Sequence, residues 1–157
     1  MIPRELKSDD IEVFSESVAA YFEMTTHDKA QVRSAYLLDS AEPVIWNEYN
    51  GVINVSGAFQ GSICFSSPRG LLTQVLLRIG ESNYSDAFHR DVVGEIANTM
   101  SGRARKHFGE NMEISPPRAF PGKTENIART AKSSPYVIPF KWNGYEAHLV
   151  VNMDVVV

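Results

Sequence analysis

The apolar positions of this chain repeat with two different periods, and the switches between them divide it into elements. Over residues 85–109 the run SDAFHRDVVGEIANTMSGRARKHFG predicts one long helix, with Ser85 or Asp86 at its start and Gly109 placed to end it in a left-handed conformation. At about 100° per residue, Val92, Val93, Ile96, Met100, Ala104 and His107 fall on one side, with Ala97 and Phe108 at its edge. Asp91, Glu95, Asn98, Gly102 and Arg105 form a row on the opposite side. A first helix is predicted from Asp9, with Glu12 closing a capping box, to between Met24 and Thr26; Ile11, Phe14, Val18 and Phe22 make its buried stripe. Ser67-Pro68 opens a shorter helix with Leu71, Leu72, Val75, Leu76 and Ile79 inward, and Gly80 stops it.

Elsewhere the period is that of strands. From Ala35 the pattern changes, and residues 44–49 and 52–56 flank Asn50-Gly51, a strong hairpin signal. Gly57, Phe59 and Gly61 mark a turn before a short strand at residues 62–65, and residues 112–115 read as a strand ending at Pro116-Pro117. A polar connector at residues 122–134 is expected on the surface. A second Asn-Gly hairpin at Asn143-Gly144 joins residues 136–142 to residues 145–155, a last strand so apolar that it should be central or covered. Trp46, Trp142 and the tyrosines fall in these predicted strands. Helix followed by strands thus occurs twice: laying Glu16 on Glu95 places Glu12 on Asp91 and Ala19 on Asn98. The pattern predicts a single α/β domain of the α+β type, an antiparallel sheet under two long helices and a shorter one. Its two degenerate halves, residues 9–80 and 85–157, would be related by a pseudo-twofold.

Composition narrows the function classes. A chain of 157 residues is one domain with a substantial core. A net charge of −4 argues against nucleic acid or an anionic membrane as partner. The basic cluster Arg103, Arg105, Lys106, His107 is explained by its place at a helix C-terminus. Cys64 is the sole cysteine, in an apolar run, which excludes an internal disulfide. The run MIPRELKSDD carries no apolar leader and no long apolar stretch follows, so a cytoplasmic protein is expected.

Charged and amide side chains are what any soluble helix shows to water, so the row on the long helix means little by spacing alone. Gly94 and Gly102, however, cost roughly 1 kcal/mol each relative to alanine inside a helix, and Asn98 stands where better helix formers exist. Close approach by a partner protein or by a neighbouring element would account for the glycines. Other chemistries lack support. Gly122-Lys123-Thr124 resembles the end of a phosphate-binding loop, yet Pro117 stands where that loop needs glycine. His27, His89, His107 and His148 are scattered without metal-ligand spacing, and nothing local marks a nucleophile.

Asp91, Glu95 and Asn98, followed by Ile114-Ser115-Pro116-Pro117 and Pro121-Gly122, together resemble the signature of the CheC, CheX and FliY phosphatases of bacterial chemotaxis. The run Ile53-Asn54-Val55-Ser56-Gly57-Ala58-Phe59-Gln60-Gly61-Ser62 is similar to the family's glycine-bracketed hairpin. Ala19, where a second amide would sit, makes the chain more similar to single-site CheX than to two-site CheC. The resemblance implies hydrolysis of the phosphoaspartate of a CheY-like response regulator, with Asn98 orienting the attacking water and Glu95 pairing with the regulator's lysine. Asp91, Gly102 and Arg105 would add partner contacts. No cofactor is expected on this chain, since Mg²⁺ would belong to the regulator's own site. The resemblance also implies a homodimer. The alternative is a non-catalytic module that uses the same helix to bind a receiver domain or a flagellar switch component.

Overall fold

The computed structural model describes residues 5–39, 43–122 and 133–156. Among these residues three helices, α1 (Ser8–Thr26), α2 (Arg69–Arg78) and α3 (Asp86–Phe108), accompany eight strands. The strands are β1 (Gln31–Val32), β2 (Tyr36–Leu37), β3 (Tyr49–Gly57), β4 (Phe59–Ser67), β5 (Met112–Ile114), β6 (Arg118–Pro121), β7 (Tyr136–Trp142) and β8 (Tyr145–Val155). They form one antiparallel sheet in the order β1-β7-β8-β4-β3-β5, with β2 also on the edge of β7 and β6 on the edge of β3. Odd-numbered residues of β3, β4 and β8, such as Ile53, Phe65 and Leu149, point to the helices and join the main core. Even-numbered Val52, Cys64 and Val150 point the other way and form a second cluster with Leu38, against which Val44, Trp46 and Phe120 pack. Period-two alternation thus supplies two apolar faces from one sheet.

The expected pseudo-twofold is present, with interleaved halves. β4 and β8 pair at the centre, from Phe59↔Val155 to Ser66↔His148. Outside β4 lies β3, which carries β5 and β6 of the second half; outside β8 lies β7, which carries β1 and β2 of the first. Each half therefore completes the other's sheet edge. The helices α1 and α3 pack together on one face, Phe14 meeting Phe108 with ring centroids 5.7 Å apart. The strand β8 is central and buried along most of its length, as its apolar sequence requires.

The predicted caps shift slightly. The carboxylate of Asp10 accepts from the backbone N–H of Lys7 at 3.0 Å, so α1 starts at Ser8 rather than Asp9. At α2 the free N–H of Arg69 is taken by Glu48 Oε1 at 3.0 Å, and Pro68 rather than Ser67 sits at the cap position. For α3 the cap is Ser85, whose hydroxyl accepts from Phe88 N, and Gly109 ends the helix at φ 96°. Two residues assigned inward are outside: Ile79 is 47% exposed beyond the end of α2. His107 faces solvent and pairs with Asp10 at 3.0 Å.

The largest departure is at Asn50-Gly51. No turn forms there; both residues lie within β3, Gly51 between Phe65 of β4 and Ala119 of β6, and residues 44–48 are not a strand. The reason is steric. A Cβ on Gly51 would stand 2.2 Å from the Val93 carbonyl oxygen, so the glycine serves the close passage of α3 across β3. The turn comes instead at Gly57, φ 83°. The second Asn-Gly behaves as predicted, with Asn143 and Gly144 at φ 50° and 81°, the conformation a two-residue hairpin demands. The strands β1 and β6, too short for a periodic signal, were not anticipated. Trp46 belongs to no strand and packs on the second cluster, and of the tyrosines placed in strands Tyr21 lies in α1 and Tyr84 in the connection before α3. Most of the predicted connector lies outside the described residues; Ser133, at its end, donates to Asp154 of β8 through its backbone N at 3.1 Å. Among the described residues no helix is long and apolar enough to cross a membrane.

Gly51→Ala is expected to lower unfolding stability by about 3 kcal/mol, the upper range for overpacking, because backbone rather than a side-chain tip must move. Gly102→Ala, where an added Cβ meets nothing within 4 Å, should instead gain up to about 1 kcal/mol. Urea melts of the two variants check the pair.

Candidate functional site

The outward face of α3 holds the predicted row. Asp91, Glu95 and Asn98 are exposed, and among the described residues their side chains make no hydrogen bond or ion pair. Helix geometry sets Glu95 and Asn98 about 4.5 Å apart along the axis and about 60° apart around it, so both reach the same side. The opposite stripe of Val92, Val93, Ile96, Ala97, Met100 and Ala104 is buried and locks the helix in rotation. Beside the row, Tyr21 of α1 is buried; burial first, and then the negative charge of Glu95, push its phenol well above the usual tyrosine range. A protonated phenol thus borders the carboxylate.

The two interior glycines have different causes. A Cβ at Gly94 would lie 3.3 Å from Pro117 Cβ, so this glycine admits a neighbouring element, the loop after β5. Gly102 has open space above it and leaves helix backbone uncovered below Asn98. Arg105 is engaged within the chain: its Nε donates to the Met112 carbonyl at 2.6 Å and its Nη2 to the Glu110 carbonyl at 3.2 Å, bracing the turn that follows α3. The predicted row therefore stays together on one face, with Arg105 at its base.

A groove of about 450 Å³ runs along this face, lined by Arg90, Asp91, Gly94, Glu95, Pro117 and Ala119 among others. Arg90 did not emerge from the sequence pattern, although its position four residues after Asp86 is the spacing of a helical ion pair. Its Nε lies 3.0 Å from Asp86 Oδ2. The other oxygen of Asp86 accepts from the Tyr49 hydroxyl at 2.5 Å, and that hydroxyl accepts from Arg69 Nη1 at 3.0 Å. This relay ties α2, β3 and α3 together at the start of the long helix. Buried His89 reinforces it: Nδ1 donates to the Ser85 carbonyl at 2.8 Å and Nε2 meets the Thr73 hydroxyl at 2.7 Å. The Tyr49 hydrogen bond, followed by the Arg90 and Arg69 charges, holds Asp86 below the usual aspartate range in spite of some desolvation. Burial and the same bond raise Tyr49, which keeps it a donor. Among the described residues no group of three or more His, Cys, Asp or Glu side chains is placed to hold a metal ion.

The family profile described as "Chemotaxis phosphatase CheX" matches residues 49–141, more than half of the chain. No curated protein matches it. Among solved structures, the chemotaxis protein CheX of Vibrio vulnificus is similar at 18% identity and TM-score 0.79, over 93% of this chain and 99% of that one. A CheC-like superfamily protein of Shewanella is similar at 20% identity and TM-score 0.79, over 94% and 99%. The CheX chain in a CheX-CheY-BeF3-Mg²⁺ complex from Borrelia burgdorferi is similar at 14% identity and TM-score 0.73, over 94% and 99%. At these identities the structures establish the shared fold.

The Asp86 relay has a pH signature. A carboxylate whose folded pKa is depressed contributes stability that is full above its unfolded pKa and is lost as pH falls through the folded value. Tyr49→Phe removes the leading cause of the depression, so its destabilisation is expected to be largest at neutral pH and to shrink below about pH 4, the unfolded aspartate value. Chemical melts of wild type and variant between neutral pH and acid check this; a pH-independent difference would rule out the linkage.

Proposed function

Because the chain belongs to the CheX family of chemotaxis phosphatases, we propose that it hydrolyses the phosphoaspartate of a CheY-like response regulator, with Asn98 orienting the attacking water. The observation that carries this reading is Glu95 and Asn98 on one rigid, outward face of α3, without a side-chain partner among the described residues. Phosphoryl transfer asks little covalent chemistry of a protein; it needs charge neutralised and a water in line. The regulator supplies the charge through its Mg²⁺ and lysine. What a second protein adds is a neutral side chain that both donates and accepts, and an amide does both. Asn98 can accept a proton-bearing edge of the water with its Oδ1 and leave Nδ2 for a phosphoryl oxygen. A carboxylate there would repel the oxygens it must approach.

Glu95, one turn earlier, pairs with the regulator's lysine and fixes the register of docking. Asp91 extends the negative edge, Gly102 admits the partner's backbone, and Arg105 keeps the end of α3 in place. Mg²⁺ belongs to the regulator in this scheme. The CheX-CheY-BeF3-Mg²⁺ assembly of the Borrelia relative supports a receiver domain as the partner. A homodimer and a cytoplasmic location complete the proposal.

Asn98→Ala is expected to reduce kcat for dephosphorylation by about 100-fold, the cost of losing a positioned reactant, while binding persists. Glu95→Ala should raise KM about tenfold or more, as for a lost docking charge pair. Phosphate release from phosphorylated regulators of the same genome, with Mg²⁺ present, measures both. Binding by wild type without any acceleration would make the protein a docking module instead.

A further inference from the structure

The groove beside the row has charges of opposite sign on its two rims. Arg90 and Glu95 lie about 140° apart around α3, with Gly94 between them as the floor and Asp91 on the negative side, nearer Glu95. Pro117 and Ala119 make the outer wall. Asn98 stands one turn above Gly94 and near the groove's centre line, so the groove leads up to the amide. Arg90 is also the wall shared with a second opening of about 350 Å³, lined by Glu48, Tyr49, Asp86, Phe120 and Pro121.

The guanidinium is pre-set. Its side chain is 57% exposed, yet Nε is pinned on Asp86 at 3.0 Å, and Asp86 is itself fixed by Tyr49 and Arg69. Among the described residues its Nη atoms make no hydrogen bond, so the two-nitrogen edge that suits a carboxylate is free. Resting on the phosphatase reading above, we infer that Arg90 is a docking residue that takes a carboxylate on the receiver domain while Glu95 takes its lysine. A partner segment seated between the rims then has one favourable orientation, because turning it end for end sets like charges together. Tyr49 and Asp86 act through Arg90 as positioning residues.

The test titrates phosphorylated CheY-like regulators of the same genome, with Mg²⁺, against wild type, Arg90→Ala, Arg90→Lys and Tyr49→Phe, reading both Kd and turnover. Circular dichroism checks folding of each. Arg90→Ala is expected to raise Kd and KM about tenfold with the loss confined to those constants, and to flatten their dependence on salt. Lysine should restore part of the affinity through its charge, and Tyr49→Phe should lose part. Unchanged Kd and salt dependence in Arg90→Ala, with wild type active, would overturn the inference and leave the phosphatase reading standing. Wild type that binds without hydrolysis would sink the phosphatase reading alone, with Arg90 still judged on Kd. Wild type that binds no regulator would overturn both.

Discussion

The passage of the Val93 carbonyl over the bare Cα of Gly51 sets how closely α3 lies on the sheet. Any side chain at position 51 would lift the helix at its middle, where Val93 and Ala97 meet β3. Small contacts below therefore permit rigidity above: with Val92, Ile96 and Met100 buried against the sheet, α3 cannot roll without opening the core. The consequence for function is rotational. Glu95 and Asn98 keep their bearing because the residues next to them in sequence are locked on the other side.

The interleaved halves make the comparison between α1 and α3 a controlled one. On α1, Glu12 and Glu16 are exposed at the positions corresponding to Asp91 and Glu95, and a groove lined by Ser8, Ile11, Glu12 and Ser15 corresponds to the groove along Ala87, Arg90, Asp91 and Gly94. Ile11 is buried where Arg90 is exposed, and Ala19 stands where Asn98 does. The carboxylates are thus common to both helices, whereas the amide and the guanidinium are particular to α3. The proposal asks a carboxylate, an amide and a guanidinium of α3; α1 offers only the first of these at the corresponding positions.

Much of this was legible in the sequence, for reasons that differ by element. The helices α1 and α3 are long enough for their apolar period to place the stripes and to put Glu95 and Asn98 on the outward face; their choice as candidate site residues came from the family resemblance. The Asn143-Gly144 turn was legible because local backbone preference and tertiary structure agree there. At Asn50-Gly51 the same dipeptide misleads, since the glycine answers to Val93 of α3, more than forty residues away in the chain. A helical average places His107 inward, but its neighbour Phe108 takes the inward place against Phe14 and Phe59, and the imidazole finds Asp10 instead. Arg90 was missed because a periodicity argument sorts residues into inside and outside. Its significance lies in a relay through Asp86, Tyr49 and Arg69 that joins three elements.

Those two kinds of information meet in the groove. Its floor is set by packing, through Gly94 against Pro117, and its rims by electrostatics, through Arg90 and Glu95. An amide alone on a helix would meet many orientations of a passing receiver domain, nearly all unproductive. In the proposed complex, opposed charges on either side of the approach would select among them before the reacting atoms meet. Both rims are side chains on the same helix as Asn98, so in the proposed scheme orienting the partner and holding the water fall to one rigid element. In that scheme recognition and chemistry are set apart along one rigid helix, Glu95 about one turn and Arg90 about two turns from Asn98, so each can be strong without disturbing the other.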